Sequence, residues 1–273
     1  PAPRGGRGRP APSPPPPGRA RSGGPRTLGG EQVEGRRAVR ELLVAGRRRA
    51  RDVWLADDAA DAAILGDILE LAEEARVRVR RVSSAALRAE ARSESPQGVL
   101  AHAHPLPEAD LDALLAGDPA TPATPFLVFL DGITDPQNLG ALLRSAEGAG
   151  VSGVVMPRHR AAHVTPTVAK TAAGAIEHVP MAVVAGLPTA LARAKEAGVW
   201  VVGLDSAAGA SLFDLDLADQ PVALVLGAEG RGLGRLVAQR CDTRVAIPLR
   251  GALPSLNVAS AGALACFEVA RRR

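Results

Sequence analysis

The sequence predicts an α/β protein of two domains that follow a low-complexity tail. From residue 126 onward, short apolar runs of strand length alternate with segments of helical periodicity. A shorter alternation of the same kind occupies residues 31–104. Between them, residues 105–125 are rich in Pro, Ala, Asp and Thr, which is typical of a linker. With 273 residues, 46% of them hydrophobic, the chain is long enough to bury two modest cores.

Residues 1–30 are predicted to be a disordered tail rich in Pro, Gly and Arg. This segment contains six arginines and no acidic residue, so its formal charge is +6 in a chain whose net charge is +4. It has almost no apolar bulk to offset the entropy of ordering. Such a segment suits either a loose RNA-tethering arm, because of its charge, or a passive extension.

The first domain, residues 31–104, is predicted to be a small three-layer α/β domain of alternating helices and strands. Apolar residues at helical spacing mark its helices, and an alternating apolar pattern marks its strands. We predict helices near residues 33–46, 64–75 and 87, and strands near residues 52–55, 77–82 and 98–101.

The second domain, residues 126–273, opens with a fully apolar run of the type found in buried parallel strands. The alternation that follows predicts a parallel sheet with helices on both faces. We predict strands at residues 126–130, 154–156, 179–184, 199–204, 222–226 and 245–249, and helices at residues 139–148, 168–176, 189–197 and 233–240 with a last helix after residue 257.

Two of these strands end in loops of small residues. The strand at 222–226 ends at Gly-Ala-Glu-Gly in residues 227–230, and the run at 245–249 leads to the loop at 255–257. Ligands of open α/β sheets lie outside the carboxyl ends of the strands, where small residues let the backbone approach closely. Taken alone, the Gly-rich turn is as compatible with a strand-to-helix turn whose glycines only allow tight packing as it is with a ligand-binding loop. It matches neither a Walker loop nor a GxGxxG fingerprint, which argues against a nucleotide-dependent dehydrogenase.

Composition excludes several other classes of protein. Aromatic residues make up 2% of the chain and Tyr is absent, which argues against a base-stacking platform. Cys241 and Cys266 lie in apolar helical patterns, so we expect buried free thiols in a reducing compartment. His102 and His104 have no third ligand nearby, so no metal site is expected. No apolar run is long enough to span a membrane, and a soluble cytoplasmic protein is expected.

Three ordered motifs carry a family resemblance. FLDGITDPQNLGALLRSAEGAGVSGVVMP, LVLGAEGRGLGRLVAQRCDTRVAIPL and PSLNVASAGALACFEVARRR resemble the three motifs of the SpoU (TrmH) branch of the SPOUT RNA 2′-O-ribose methyltransferases. The front half, from VEGRRAVRELL to SPQGVLAHA, is similar to the substrate-binding domain of the bacterial 23S ribosomal RNA guanosine 2′-O-methyltransferases. The resemblance covers residues 31–273.

The resemblance implies a parallel-sheet domain with a deep trefoil knot, S-adenosylmethionine bent in the knot loops, and active sites at a homodimer interface. Knots are rare, so periodicity alone would not predict one. Gly227, Ile247 and Leu256 match positions whose backbone holds the cofactor. Ala259 replaces the last Ser of the commoner SLNVS motif, which affects a supporting hydrogen bond.

The resemblance also implies a set of catalytic residues. An Arg at the position of Arg144 is assigned a role in activating the 2′-hydroxyl. Because a guanidinium is a poor base, we expect it instead to stabilise the developing alkoxide and to grip a phosphate. It follows Asn138 by six residues, so both are expected to face one cleft; pairing with Glu147 or Glu177 is the alternative. The predicted catalytic residues are Arg144, Asn138, Glu229, Ser255 and Asn257.

The expected function is S-adenosylmethionine-dependent methylation of a ribose 2′-hydroxyl, with a guanosine in 23S rRNA as the substrate and a homodimer as the assembly. The cofactor supplies the leaving group, so no metal and no protein nucleophile are required. A tRNA 2′-O-methyltransferase and an rRNA adenosine enzyme of the resistance type are the alternatives. A non-catalytic RNA-binding protein would lack Arg144, Asn138 or the cofactor loop, and all are present.

Overall fold

The structure, a computed structural model, describes residues 28–59, 62–117, 124–159, 163–216 and 219–273. Most of the predicted tail, residues 1–27, lies outside this range. Residues 28–30 belong to the folded part, because Leu28 is buried and Gly29 forms a β-bridge with Val164. Three residues that were predicted to belong to the tail are therefore part of the folded domain.

The first domain has the three predicted layers, but its mixed sheet contains four strands rather than the three predicted. The strand order is β1-β4-β2-β3, with β2 and β3 parallel and the other pairs antiparallel. The third helix packs through Leu87 against Ala56 and Leu100, on the face opposite the other two helices. The elements are β1 (Gln32–Glu34), α1 (Arg36–Ala45), β2 (Ala50–Ala56), α2 (Ala63–Glu74), β3 (Arg78–Val82), α3 (Ser84–Glu90) and β4 (Val99–Ala103).

The second domain contains a seven-stranded sheet in which every pairing is parallel. The strand order is β7-β6-β5-β10-β8-β11-β9. The elements are α4 (Leu111–Ala116), β5 (Phe126–Asp131), α5 (Pro136–Gly148), β6 (Gly153–Pro157), α6 (Pro166–Thr171), β7 (Met181–Val184), α7 (Leu187–Glu196), β8 (Trp200–Leu204), β9 (Ala210–Ser211), β10 (Val222–Gly227), α8 (Arg235–Arg240), β11 (Thr243–Ala246) and α9 (Val258–Arg272), with 3-10 turns at Ala175–Glu177 and Leu212–Asp214.

Four elements differ from the prediction. Strand β1 occupies residues 32–34, where a helix was predicted to begin at residue 33. The predicted helix at 168–176 is broken after α6, because Ala173 and Gly174 adopt positive φ angles of 51° and 92°. A Cβ on Gly174 would lie 2.4 Å from the Glu41 Cβ, so the first domain packs directly on this break. The predicted strand at 245–249 ends at residue 246, two positions before Pro248, which cannot donate to a ladder. Strand β9 was not predicted.

The segment at 105–125, predicted as a linker, packs on the second domain over part of its length. Asp110 caps α4 by accepting a hydrogen bond from the Ala113 amide. The three buried leucines of α4 enter the core cluster on one face of the large sheet. The Ala109 amide also donates to the Met181 carbonyl over 2.8 Å.

The two domains share one continuous hydrophobic core and one buried ion pair. Arg48 follows α1, and its guanidinium meets the Glu177 carboxylate in a bidentate pair at 2.6 and 2.9 Å. The remaining Arg48 nitrogen donates to the carbonyls of Gly30 and His104 at 2.6 Å each. Both side chains are at most 2% exposed. A buried pair whose hydrogen-bonding groups are satisfied fixes the first domain on the second.

The strand order brings two loop-bearing strands together. Strand β10 lies between β5 and β8, and Gly227 at its carboxyl end is in register with Asp131 at the end of β5. The loops that leave β5 and β10 therefore begin side by side. This order is consistent with the trefoil knot that the family resemblance implies, and the knot remains a prediction.

Candidate active site

The loop after β5 delivers Asn138 to the carboxyl edge of the sheet. The Asp135 side chain caps α5 by accepting from the amides of Gln137 and Asn138 at 2.6 and 3.2 Å. Pro136 occupies the first turn, where its missing N–H is no loss. Asn138 is thereby held in the first turn of α5, half-buried, with its side chain toward the neighbouring loops.

The loop after β10 is a tight turn that only glycine permits at its start. A Cβ on Gly227 would lie 2.2 Å from the Gly232 carbonyl carbon, so any side chain would open the turn. A bridge between Ala228 and Gly232 closes it. The Asp131 carboxylate accepts from the Gly234 amide over 2.7 Å and ties the turn to β5. Glu229 is carried at the tip of this turn.

The third loop ends at Asn257, the N-cap of α9. Its Oδ1 accepts from the Ala259 and Ser260 amides at 2.9 and 3.3 Å, which satisfies two free donors of the helix. Its Nδ2 is left to donate to Asn138 Oδ1 at 2.8 Å and to Glu229 Oε1 at 3.4 Å. One side chain therefore both starts a helix and joins the other two loops.

Asn138, Glu229 and Asn257 form a closed hydrogen-bonded network. The remaining side of the triangle is a bond of 3.2 Å from Asn138 Nδ2 to Glu229 Oε2. The two amides donate to different oxygens of one carboxylate, so its orientation is fixed. The family resemblance implies all three as site residues, and the structure brings them together from three separate loops.

A cavity of about 320 Å³ opens beside this network. It is within the size range of small-ligand sites, and its walls combine apolar side chains with glycine backbone. Both features suit a nucleoside-like cofactor, which needs a flat apolar slot and backbone hydrogen bonds. All three predicted cofactor-binding residues line the cavity, as do two of the predicted catalytic residues: Gly227, Ile247, Leu256, Glu229 and Ser255.

Asp205 is a lining residue that the sequence did not single out. It follows β8, and its carboxylate accepts from the Ala207 amide at 2.9 Å and from Arg244 at 2.7 Å. Its position directly after a predicted strand was the available signal, because ligand-binding side chains of parallel sheets cluster there.

Arg144 does not join the network within one chain. It is exposed on α5 and borders a second groove between the two domains, together with Arg37, Glu147 and His178. Six helical residues turn the side-chain direction by roughly 240°, so Asn138 and Arg144 point to different sides of α5. The alternative pairing with Glu177 is wrong, because that carboxylate is buried against Arg48. No ion pair joins Arg144 to Glu147 in the described part of the chain.

Within the described ranges, no cluster of three or more His, Cys, Asp or Glu side chains is arranged to hold a metal ion. His102 is half-buried and bonds to Asp52 at 2.8 Å and Glu90 at 3.2 Å, rather than lying free in solvent. Cys266 is buried as expected, whereas Cys241 is only partly buried. Burial raises the pKa of the Cys241 thiol to about 11 and that of Cys266 to about 12, which favours the protonated thiol.

No helix in the described part of the chain is both long and apolar enough to cross a bilayer.

Comparison with known proteins identifies the class to which this fold and this three-loop site belong. The family model described as "SpoU rRNA Methylase family" matches residues 125–267. The model described as "RNA 2'-O ribose methyltransferase substrate binding" matches residues 32–109. The chain belongs to the SpoU rRNA methylase family.

Several relatives match over most of their length. The chain is 39% identical over 244 residues to a 23S rRNA (guanosine-2'-O-)-methyltransferase RlmB of Shewanella oneidensis, covering 88% of this chain and 97% of the relative. It is 37% identical to the putative TrmH family tRNA/rRNA methyltransferase YacO of Bacillus subtilis, covering 89% and 96%. The crystal structure of the SpoU methyltransferase AviRb from Streptomyces viridochromogenes, in complex with AdoMet, superposes with a TM-score of 0.73 at 26% identity, covering 89% and 90%.

Proposed function

We propose that the protein is an S-adenosylmethionine-dependent RNA methyltransferase that modifies the 2′-hydroxyl of a guanosine in 23S ribosomal RNA. The observation that carries the proposal is the network of Asn138, Glu229 and Asn257 at the mouth of a cavity with glycine and apolar walls. The relatives named as 23S rRNA guanosine enzymes support the choice of substrate. A ribosomal RNA substrate would also place the protein in the cytoplasm.

The cavity residues fit S-adenosylmethionine, which when bound supplies an electrophilic methyl group on a sulfonium. The backbone around Gly227 and Ile247 would hold the cofactor, and the apolar walls from Leu226 and Leu256 would flank its ring. The binding needs no metal. Titration calorimetry with a chelator present should show unchanged affinity, and affinity that vanishes with the chelator would contradict the assignment.

The chain's own task is to align and activate the ribose oxygen. The Glu229 carboxylate, held by two amides, can accept a hydrogen bond from a ribose hydroxyl or from a guanine amino group. Ser255 is exposed at the rim of the cavity, where its hydroxyl can contact the same nucleotide. Arg144 would stabilise the charge that develops on the oxygen.

A second copy of this chain completes the proposed site. Leu264 and Phe267 are 45% and 51% exposed on the outer face of α9, and such neighbouring apolar side chains favour burial against a partner. Helix α9 packs closely on α5, since a Cβ on Gly262 would lie 2.4 Å from Leu142 Cδ1. A homodimer through this face offers Arg144 of one protomer to the cavity of its partner, which explains why Arg144 does not reach its own network.

Mixed dimers test this arrangement. Arg144→Ala and Glu229→Ala are each expected to be inactive. If each site takes Arg144 from the partner subunit, random mixing of the two variants restores about a quarter of wild-type activity, because half the dimers hold one intact site. Mixed dimers that remain inactive, or a monomer in sedimentation equilibrium at micromolar concentration, would contradict the shared site.

The substrate is tested by incubating the enzyme and labelled cofactor with 23S rRNA, 16S rRNA and tRNA. We expect label in 23S rRNA, located on the ribose of one guanosine by its resistance to alkaline cleavage. Ribose label in tRNA, or on an adenosine, would contradict the proposed substrate but not the proposed 2′-O-methylation. Label on a base would overturn the chemistry as well.

A further inference from the structure

A second groove, separate from the cavity, runs between the two domains. One wall is α1 of the first domain and the other combines α5 with the 3-10 turn at Ala175–Glu177. The groove encloses about 410 Å³ and contains Arg37, Arg40, Arg144 and His178. We call it the interdomain groove. Its lining includes three arginines and two glutamates, so its formal charge is +1 before any histidine is protonated.

The carboxylates near the interdomain groove pair with some of its basic side chains and not with others. Glu41 binds both Arg40, at 2.9 Å, and His178, at 2.9 Å, and Asp67 adds a second bond to Arg40 at 3.2 Å. Arg37 and Arg144 are exposed and have no carboxylate within ion-pair distance among the described residues. The groove thus presents one free guanidinium from each domain, and these two groups can bind an external anion.

The walls of the interdomain groove are held in place before any ligand binds. The Arg48–Glu177 pair lies beneath the turn that carries His178, and Arg47 donates to the Glu177 carbonyl over 3.1 Å. The close approach of α1 to Gly174 leaves no room for a Cβ. The helices that carry Arg37 and Arg144 are therefore held at a fixed separation, which lowers the entropic cost of binding one ligand to both side chains.

We propose that the interdomain groove binds the sugar-phosphate backbone of the substrate RNA, with Arg37 binding a phosphate that flanks the methylated nucleotide. This inference rests on the proposed function and extends it to a residue of the first domain. A planar guanidinium suits a phosphate because it can donate two parallel hydrogen bonds. Among the described residues, the groove lining contains no Phe, Tyr or Trp on which a base would stack, and the His178 imidazole is bonded to Glu41 at 2.9 Å, so we expect the groove to recognise the backbone. The Glu147 carboxylate, also in the lining, can accept from a ribose 2′-hydroxyl, which selects RNA over DNA.

The test compares Arg37→Ala and Arg37→Lys with Arg88→Ala as a matched control. Arg88 is an exposed arginine on α3 of the same domain and does not line the groove. For Arg37→Ala we expect Kd for a 23S rRNA fragment to rise on the order of tenfold. The slope of log K against log salt should fall by about 0.7 to 0.9, the value of one phosphate contact. Arg37→Lys should restore the salt slope more fully than the affinity.

The same three variants separate binding from chemistry. For Arg37→Ala we expect a raised KM for RNA with kcat and cofactor affinity near wild type, whereas Arg88→Ala should change neither KM nor salt slope. An Arg37→Ala variant that binds RNA with wild-type affinity and slope would overturn the inference. So would a variant whose only change is weaker self-association, because the groove would then be a protein contact. The salt slope does not depend on methyl transfer, so failure of the proposed function would be seen separately, as wild-type enzyme that leaves rRNA unmethylated.

Discussion

The Asn257 side chain donates from Nδ2 to Asn138 Oδ1 over 2.8 Å, although 119 positions separate the two residues in the chain. Asn138 lies in the first turn of α5 and Asn257 caps α9, so the amino-terminal ends of two long helices meet at one point. Both helix dipoles present their positive ends there. The Glu229 carboxylate occupies this position, where the helix dipoles and the two amide donors stabilise its charge.

Replacing Asn257 separates its two roles. Asn257→Ala removes the cap of α9 and should lower the free energy of unfolding by about 1 kcal/mol while abolishing methylation. Asn257→Asp keeps the capping oxygen but places a second carboxylate beside Glu229, so stability should be less affected than activity. Thermal unfolding and single-turnover methylation of each variant check this expectation. Equal activity in the Asp variant and the wild type would show that the network is structural only.

Arg144→Ala is expected to lose methyl transfer while retaining the fold and cofactor binding. The side chain is exposed, and the packing of α5 is provided by its buried leucines. Loss of a charge-assisted contact in the transition state should cost on the order of 3–4 kcal/mol, or about two to three decades in rate. Arg144→Lys should recover little, because an ammonium cannot reproduce the planar fork. Near-wild-type turnover in the Ala variant would remove Arg144 from the mechanism, and loss of cofactor affinity would make it a binding residue.

Glu177→Ala should be strongly destabilising, because it leaves the buried Arg48 guanidinium without its counter-charge. Breaking a buried pair in this way costs about 3–5 kcal/mol. The exposed pair of Asp112 and Arg193 provides the control, and Asp112→Asn should change stability by less than about 1 kcal/mol. Urea unfolding of both variants makes the comparison. Similar small losses in the two would mean that the interdomain pair is not a structural determinant.

The effect of truncating the amino-terminal tail on stability should change sharply between residues 27 and 30. Removing residues 1–27 is expected to leave the melting temperature and cofactor affinity unchanged, and to reduce RNA affinity and its salt dependence through the loss of six positive charges. Removing residues 1–30 also deletes the buried Leu28 and the Gly30 carbonyl that accepts from Arg48. That longer truncation should lower the melting temperature. Identical unfolding curves for the two truncations would show that residues 28–30 contribute no stability.

Much of the second domain could be predicted because its signals are local. The apolar run at 126–130 and the small residues after β10 identify a parallel sheet and its ligand edge without reference to distant residues. The family motifs then identify Asn138, Glu229 and Asn257 as site residues, and the structure joins them in one network.

Other features depend on contacts that no local pattern encodes. Strand β1 was missed because Gln32 and Glu34 are buried polar residues, which read as surface positions in sequence. Glu34 is buried because the amides of Arg92 and Ser93 donate to it, 58 and 59 residues away. The Arg48–Glu177 pair spans 129 residues and cannot be inferred from either side chain alone. The direction of Arg144 was misjudged because its spacing from Asn138 was considered without the helical rotation.

The Arg48–Glu177 pair has a consequence for how a target nucleotide is chosen. Because the pair and its two carbonyl acceptors hold the two domains together, we expect the distance between the first domain and the cavity to stay constant. An RNA feature that binds the first domain would then lie at a set number of nucleotides from the cavity. Selection of one guanosine among many then follows from distance along the folded RNA, and inserting a single nucleotide between the two would move the methyl group to a neighbour or prevent its transfer.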